Sequence, residues 1–147
     1  MNPFEKLLVD LVKSHTLFVT VGGIACALNG LVRSTEDVDI LIHSDESNVQ
    51  KFLTFLESFS PTGARELSLS DFKDEEGAIR IIEDFPLDVF VRMSGYTYQD
   101  LKPYLKEYLL EGFSIPYLGK EGLILLKSNS LREIDIRDVY QLKNLPS

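Results

Sequence analysis

Asp37-Val38-Asp39 stands at the head of the apolar run Val38-Asp39-Ile40-Leu41-Ile42. On a strand, alternate side chains leave opposite faces, so both carboxylates share one face while Val38 and Ile40 anchor the other. Like charges held that close repel, and each raises the other's pKa unless a cation or a strong donor compensates. Mg²⁺ is the hard, oxygen-seeking ion that suits such a pair, and it commonly arrives with phosphates. The plain alternative is a strand end carrying two solvated acids.

A third acid, Asp88, lies inside Leu87-Asp88-Val89-Phe90-Val91. An ionised carboxylate there needs a partner, unless it starts the strand after Pro86 and points to water. If the two acid-bearing strands pair side by side, Asp37, Asp39 and Asp88 converge. They can then hold one or two divalent metals for in-line phosphoryl transfer, with Asp88 also able to serve as general base.

Gly22-Gly23 follows one apolar segment and precedes another, between a strand and a helix. Without Cβ atoms, the backbone amides of such a turn can approach phosphate oxygens closely, and the helix start adds partial positive charge. A tight turn with no ligand is the alternative. No Gly-Lys-Ser or Gly-Lys-Thr follows, and the next glycine is Gly30, so neither a Walker loop nor a dinucleotide fingerprint is complete. His15 and His43 have no histidine or cysteine at metal-ligand spacing. Tyr96, Tyr98, Tyr104 and Tyr108 could stack a base, although aromatic residues at helical spacing more commonly fill core and surface. Arg132, Asp135 and Asp138 recur at helical spacing and can bridge one another structurally.

The elements that must position these groups follow from periodicity. Phe4, Leu7, Leu8, Leu11 and Val12 predict an opening amphipathic helix, Leu17 to Val21 a strand, and Ile24 to Leu28 a helix stopped at Asn29-Gly30. Val38 to Ile42 predicts the second strand, and a helix capped by Ser44 or Asp45 follows, with Val49, Phe52, Leu53, Leu56 and Phe59 inward. Ser58 to Gly77 reads as a loose stretch. Ala78 to Ile82 and Leu87 to Val91 predict a hairpin turning around Asp84-Phe85-Pro86. Asp100 to Leu110 reads as a helix, with Pro103 in its first turn. Phe113 to Leu118 reads as an edge strand weakened by Pro116, and helices over Glu121 to Lys127 and Leu131 to Leu142 close the chain. This irregular alternation predicts an α/β (α+β) fold, a mixed β-sheet flanked by helices.

With 147 residues, 44% hydrophobic and 26% charged, the chain suits one domain over 1–147 with a real core. Its net charge of -8 makes long nucleic acid an unlikely ligand; cationic small molecules or a partner protein with a basic surface suit it better. The single cysteine, Cys26, sits in the small apolar stretch Ile24-Ala25-Cys26-Ala27 and forms no internal disulfide. No apolar run reaches the roughly 18 residues of a membrane span, and the amino terminus is charged and amphipathic. A cytoplasmic protein without membrane contact is the expectation.

Strand, Gly22-Gly23, short helix, Arg33-Ser34-Thr35, Asp37-Val38-Asp39 on a strand and Asp88 on a later strand together resemble the DNA polymerase beta-like nucleotidyltransferase superfamily. Thirteen residues separate Gly23 from Asp37, and the motif resemblance runs from Phe18 to Val91. Leu123 to Lys127 with Arg132, Asp135 and Asp138 looks like the closing helices of minimal single-domain members, including the nucleotidyltransferases of bacterial toxin-antitoxin and abortive-infection systems. The resemblance implies the nucleotidyltransferase fold. It also implies Mg²⁺ on Asp37, Asp39 and Asp88, and an NTP such as ATP with its triphosphate along Gly22 and Gly23.

Arg33 and Thr35, just before the acid pair, would contact the nucleotide, Arg33 being a planar donor suited to phosphate. Lys127 could reach the phosphates from a carboxy-terminal helix. Many relatives have serine at the position of Gly23, tRNA-end-adding members have an Arg-Asp pair where this chain has Ile24 to Ala27, and antibiotic-modifying members often have histidine near Thr35. A tRNA-adding role is therefore disfavoured and the antibiotic one weakened. The implied reaction is transfer of a nucleoside monophosphate to a hydroxyl of a protein, RNA or small-molecule acceptor. The alternative is an inactive relative that binds nucleotide or a partner protein.

Overall fold

Apolar strands buried on both sides form the middle of a six-stranded mixed sheet in the computed structural model, which describes residues 1–146. The chain runs through α1 (Pro3–Lys13), β1 (Phe18–Val21), α2 (Gly22–Leu28), β2 (Val38–Ile42), α3 (Glu46–Phe59) and α4 (Pro61–Glu66). It continues through β3 (Ala78–Ile82), β4 (Pro86–Phe90), β5 (Arg92–Met93), β6 (Tyr96–Thr97), α5 (Tyr98–Leu101), β7 (Leu105–Leu110), β8 (Phe113–Leu118), α6 (Lys120–Lys127) and α7 (Glu133–Lys143). The order across the sheet is β3-β4-β2-β1-β8-β7, while β5 and β6 make a small separate ribbon. β2 runs antiparallel to β1 and parallel to β4, and β1 meets β8 in parallel.

Each sheet face is covered by helices, because residues alternate along the central strands. Phe18, Ile40, Ile42, Leu87 and Val89 pack on one face against Leu7, Leu8 and Leu11 of α1 and Val49, Phe52 and Leu56 of α3. Val19, Val21 and Leu41 pack on the other against Ala25 and Cys26 of α2, Leu123 and Leu126 of α6 and Leu142 of α7. Asp39 lies between Ile40 and Val38 and so projects on the face of Leu41 and α2. Local signals agree with the packing at α1, where Asn2 and Glu5 form a reciprocal capping box and Pro3 occupies the first turn. No helix among the described residues is long and apolar enough to cross a membrane.

Three segments differ from their sequence expectation. Asp100 to Leu110 is not a helix: one α turn ends at Leu101, Lys102–Tyr104 forms a 3-10 turn at Pro103, and β7 begins at Leu105. The deciding feature is the two-residue turn Glu111-Gly112, whose φ values of 48° and 82° match the twist of a tight hairpin, so Leu105 to Leu110 zips against β8.

β8 in turn is interior, and β7 takes the edge. Pro116 is tolerated because the junction with β1 is short, a single pairing of Thr20 with Tyr117. The stretch Ser58 to Gly77 is ordered by local caps and one anchor. It contains the end of α3, then α4 capped by Ser60, and a 3-10 turn at Leu69–Asp71 leading to buried Phe72.

Candidate active site

Parallel pairing of β2 with β4 makes Asp39 and Asp88 direct register partners on neighbouring strands, on the same face. Asp37 precedes β2 by one residue, and one carboxylate oxygen from each of Asp37, Asp39 and Asp88 lies within 4.8 Å of the others. Asp88 is buried, whereas Asp37 and Asp39 are partly open to solvent. The three acids read from the sequence therefore form one cluster at the mouth of the central strands.

The diglycine turn belongs to the same wall. β1 and β2 pair Val21 with Asp39, which places Gly22 directly beneath the Asp39 carboxylate. Gly22 has a φ of 66°, and a Cβ there would come 2.0 Å from Asp39 Oδ2, so conformation and space both demand glycine. A Cβ at Gly23 would meet Thr35 Oγ1 at 2.8 Å. That contact accounts for glycine at this position: the loop carrying Thr35 lies against the turn. Val21 caps α2 without a side-chain hydrogen bond, so no capping side chain occupies the first amides of the turn.

Sequence reasoning missed Arg80. β3 pairs antiparallel with β4 so that Arg80 stands opposite Asp88. Its Nε donates to Asp88 Oδ1 at 2.8 Å, and its Nη2 donates to Asp88 Oδ2 at 2.9 Å and to Asp37 Oδ2 at 3.1 Å. A charged residue inside Ala78-Ile79-Arg80-Ile81-Ile82 was the available signal, since a hairpin centred on Asp84 carries residue 80 to residue 88. Burial is the first cause of an elevated Asp39 pKa, followed by the charge and hydrogen bonding of Asp88 and the charge of Asp37; together they push it up to about 7, against the partial relief that Arg80 gives.

Three carboxylates with one guanidinium form an all-oxygen donor set that remains net anionic. Such a set fits Mg²⁺ or another hard divalent ion, with Asp37, Asp39 and Asp88 as its protein ligands.

Arg33 and Lys127, expected at the nucleotide, both turn to Asp138. Arg33 donates through Nη1 and Nη2 at 2.8 and 2.9 Å, and Lys127 Nζ donates to Asp138 at 3.1 Å and to Asp135 at 3.3 Å. Asp138 is 1% exposed, so this fork is an internal brace joining α6 and α7 to the loop before β2. The brace lies behind the glycine turn, with Arg33 Cδ 3.7 Å from where a Gly23 Cβ would be. Thr35 Oγ1 donates to the Asp37 carbonyl at 3.1 Å, fixing the approach to the acid pair. Cys26 is buried beside Arg33, and burial pushes its thiol pKa up. Tyr98 packs against the His43 ring, 5.7 Å between centroids, and Tyr108 lies on the edge strand β7; the tyrosines do not gather into one stack.

No protein-family model and no curated protein matches the chain. Solved structures do. A candidate nucleotidyltransferase from Thermotoga maritima superposes with a TM-score of 0.56 at 17% identity, covering 95% of this chain and 87% of that one. The lincosamide antibiotic adenylyltransferase LnuA, with lincomycin bound, gives 0.57 at 18% identity over 99% of this chain and 98% of its own. An antigenic nucleotidyltransferase-like protein from Paracoccidioides brasiliensis gives 0.54 at 22% identity over 95% and 72%. The chain has the nucleotidyltransferase fold.

Proposed function

We propose that this protein is a Mg²⁺-dependent nucleotidyltransferase that moves a nucleoside monophosphate from an NTP to a hydroxyl of a protein, RNA or small-molecule acceptor. The observation that carries this reading is the convergence of Asp37, Asp39 and Asp88 from two strands, within 4.8 Å, beside a glycine turn that no side chain caps. In the reaction, the acceptor oxygen attacks the α-phosphorus. The new O–P bond forms as the bond to the β-phosphate oxygen breaks, and pyrophosphate leaves. When bound, Mg²⁺ supplies charge neutralisation at the phosphates and the leaving group. The backbone amides of Gly22 and Gly23 line the triphosphate, and Thr35 contacts the nucleotide beside them.

Asp88 takes the acceptor proton. Both of its oxygens already accept from Arg80, and a carboxylate oxygen has a further lone pair for that proton. A nucleotide contact from Arg33 or Lys127 requires either one to leave Asp138, so their first role in this reading is to brace the turn.

Among solved neighbours, LnuA is an adenylyltransferase with a small antibiotic bound. ATP and small hydroxylated acceptors are accordingly the first pair to try, ahead of protein and RNA acceptors such as a toxin or abortive-infection role would use. Cytoplasmic location and a single domain belong to the same reading. The test is thermal denaturation with each NTP at millimolar concentration plus Mg²⁺. A rise of several degrees that is absent in Asp39→Ala supports the site, and no shift with any NTP counts against it.

Arg80 favours a second reading, in which the fold binds nucleotide or a partner without catalysis, because a guanidinium already answers two of the three acids. Release of pyrophosphate from labelled NTP with host lysate as acceptor source separates the two. Binding without release leaves the second.

A further inference from the structure

Arg80 reaches the acid cluster from β3, the outer strand of the sheet, with its side chain 52% exposed. Its three hydrogen bonds end on Asp88 Oδ1, Asp88 Oδ2 and Asp37 Oδ2, oxygens of the carboxylates that would ligate a divalent ion. The fork on Asp88 is bidentate, the strong geometry for guanidinium and carboxylate. An ion held by Asp88 and Asp37 would therefore sit within a few ångströms of a fixed positive charge. The exposed side makes the arrangement reversible: the long arginine stem can carry its charged head into water without unpacking the core.

We propose that Arg80 is a built-in counter-cation of the acid triad, which steadies the three carboxylates when no metal is bound and must yield before a divalent ion binds, so that it lowers the metal affinity of the site. This rests on the assignment of Asp37, Asp39 and Asp88 as metal ligands. Two consequences move in opposite directions. Removing the charge tightens metal binding, and it also leaves three carboxylates facing one another in the metal-free protein. A residue that merely organised the ligands would do otherwise, since its loss would weaken the metal and the fold together.

The experiment is a Mn²⁺ titration followed by the electron paramagnetic resonance signal of the free ion, on the whole chain without nucleotide, for the wild-type protein, Arg80→Gln and Arg80→Lys. The expected result is Mn²⁺ bound about tenfold or more tightly by Arg80→Gln, with a lower metal-free melting temperature, while Arg80→Lys, which keeps the charge, stays within about threefold of wild type. Unchanged or weaker binding by Arg80→Gln overturns the proposal, as does equal tightening in Arg80→Lys. If Arg80→Gln does not fold, the Arg80 Nε–H resonance of the wild-type protein decides. Loss of its protection from solvent exchange on adding Mg²⁺ supports displacement, and retention of that protection with metal bound refutes it. Absence of Mn²⁺ binding in every folded protein removes the metal assignment and this proposal with it, whereas equal binding in all of them removes this proposal alone.

Discussion

At Asp39, burial and two neighbouring carboxylates act in the same direction, and the folded protein holds a proton there up to a pH of about 7 where the unfolded chain releases it near 3.8. Between those values the native state binds more protons than the unfolded state, so stability falls as pH rises. The contribution is complete below about pH 4 and gone above about pH 7. We predict that urea midpoints of the metal-free protein decline across this window, and that Asp39→Asn flattens the decline and exceeds wild type at pH 8. A slope unchanged by the substitution would show that Asp39 is not the group responsible. The same residue determines its neighbour: with its carboxylate over Gly22, no side chain fits on the turn below.

At the scale of elements, the site depends on how α7 is tied to the loop before β2. Asp138 lies on α7, is 1% exposed, and accepts from Arg33 on that loop and from Lys127 on α6. Lys127 also reaches Asp135, and there burial raises the pKa while the Ser130 hydrogen bond and the lysine charge lower it by more, leaving a net decrease. Removing the Asp138 carboxylate leaves Lys127 with Asp135 alone and strands the largely buried Arg33 guanidinium, a defect of about 3 to 5 kcal/mol when a buried pair is broken. Asp138→Ala should therefore lower the unfolding free energy by about that amount, measured by urea denaturation, and should loosen the Thr35 loop. A loss below about 1 kcal/mol would mean that solvent reaches the cations readily. Arg33→Ala leaves Lys127 still paired, and its cost should be smaller.

For the molecule as a whole, burial decreases from the middle of the sheet to its two edge strands. β2 is hydrogen-bonded on both sides and buried on both faces, whereas β3 and β7 are edges with exposed residues such as Ile82 and Leu109. Native-state hydrogen exchange should therefore be slowest in β1, β2 and β4 and faster by orders of magnitude in β3 and β7. Uniform protection across all six strands would contradict this gradient. The acid cluster is thus framed by two interior strands, β2 and β4, and by the solvent-exposed β3 edge that carries Arg80.

The amino-acid pattern alone determined the central features. Alternation in Val38 to Ile42 and Leu87 to Val91 placed the acids on strands, the glycine pair marked the turn, and the mixed sheet with flanking helices followed from the order of periodic segments. These signals are local, because side-chain period and backbone freedom are properties of short segments. Partner choice was decided only in three dimensions. Arg33 and Lys127 looked like phosphate ligands until Asp138, 105 residues beyond Arg33, was brought beneath them. Leu105 to Leu110 could read as helix until the Glu111-Gly112 turn folded it onto β8. Arg80 acquired its carboxylate partners from a hairpin register joined to a parallel ladder, two pairings whose combination no single segment encodes. The physical reason is common to all three: a charge or a strand edge is satisfied by whatever the fold sets beside it, and that neighbour lies far away along the chain.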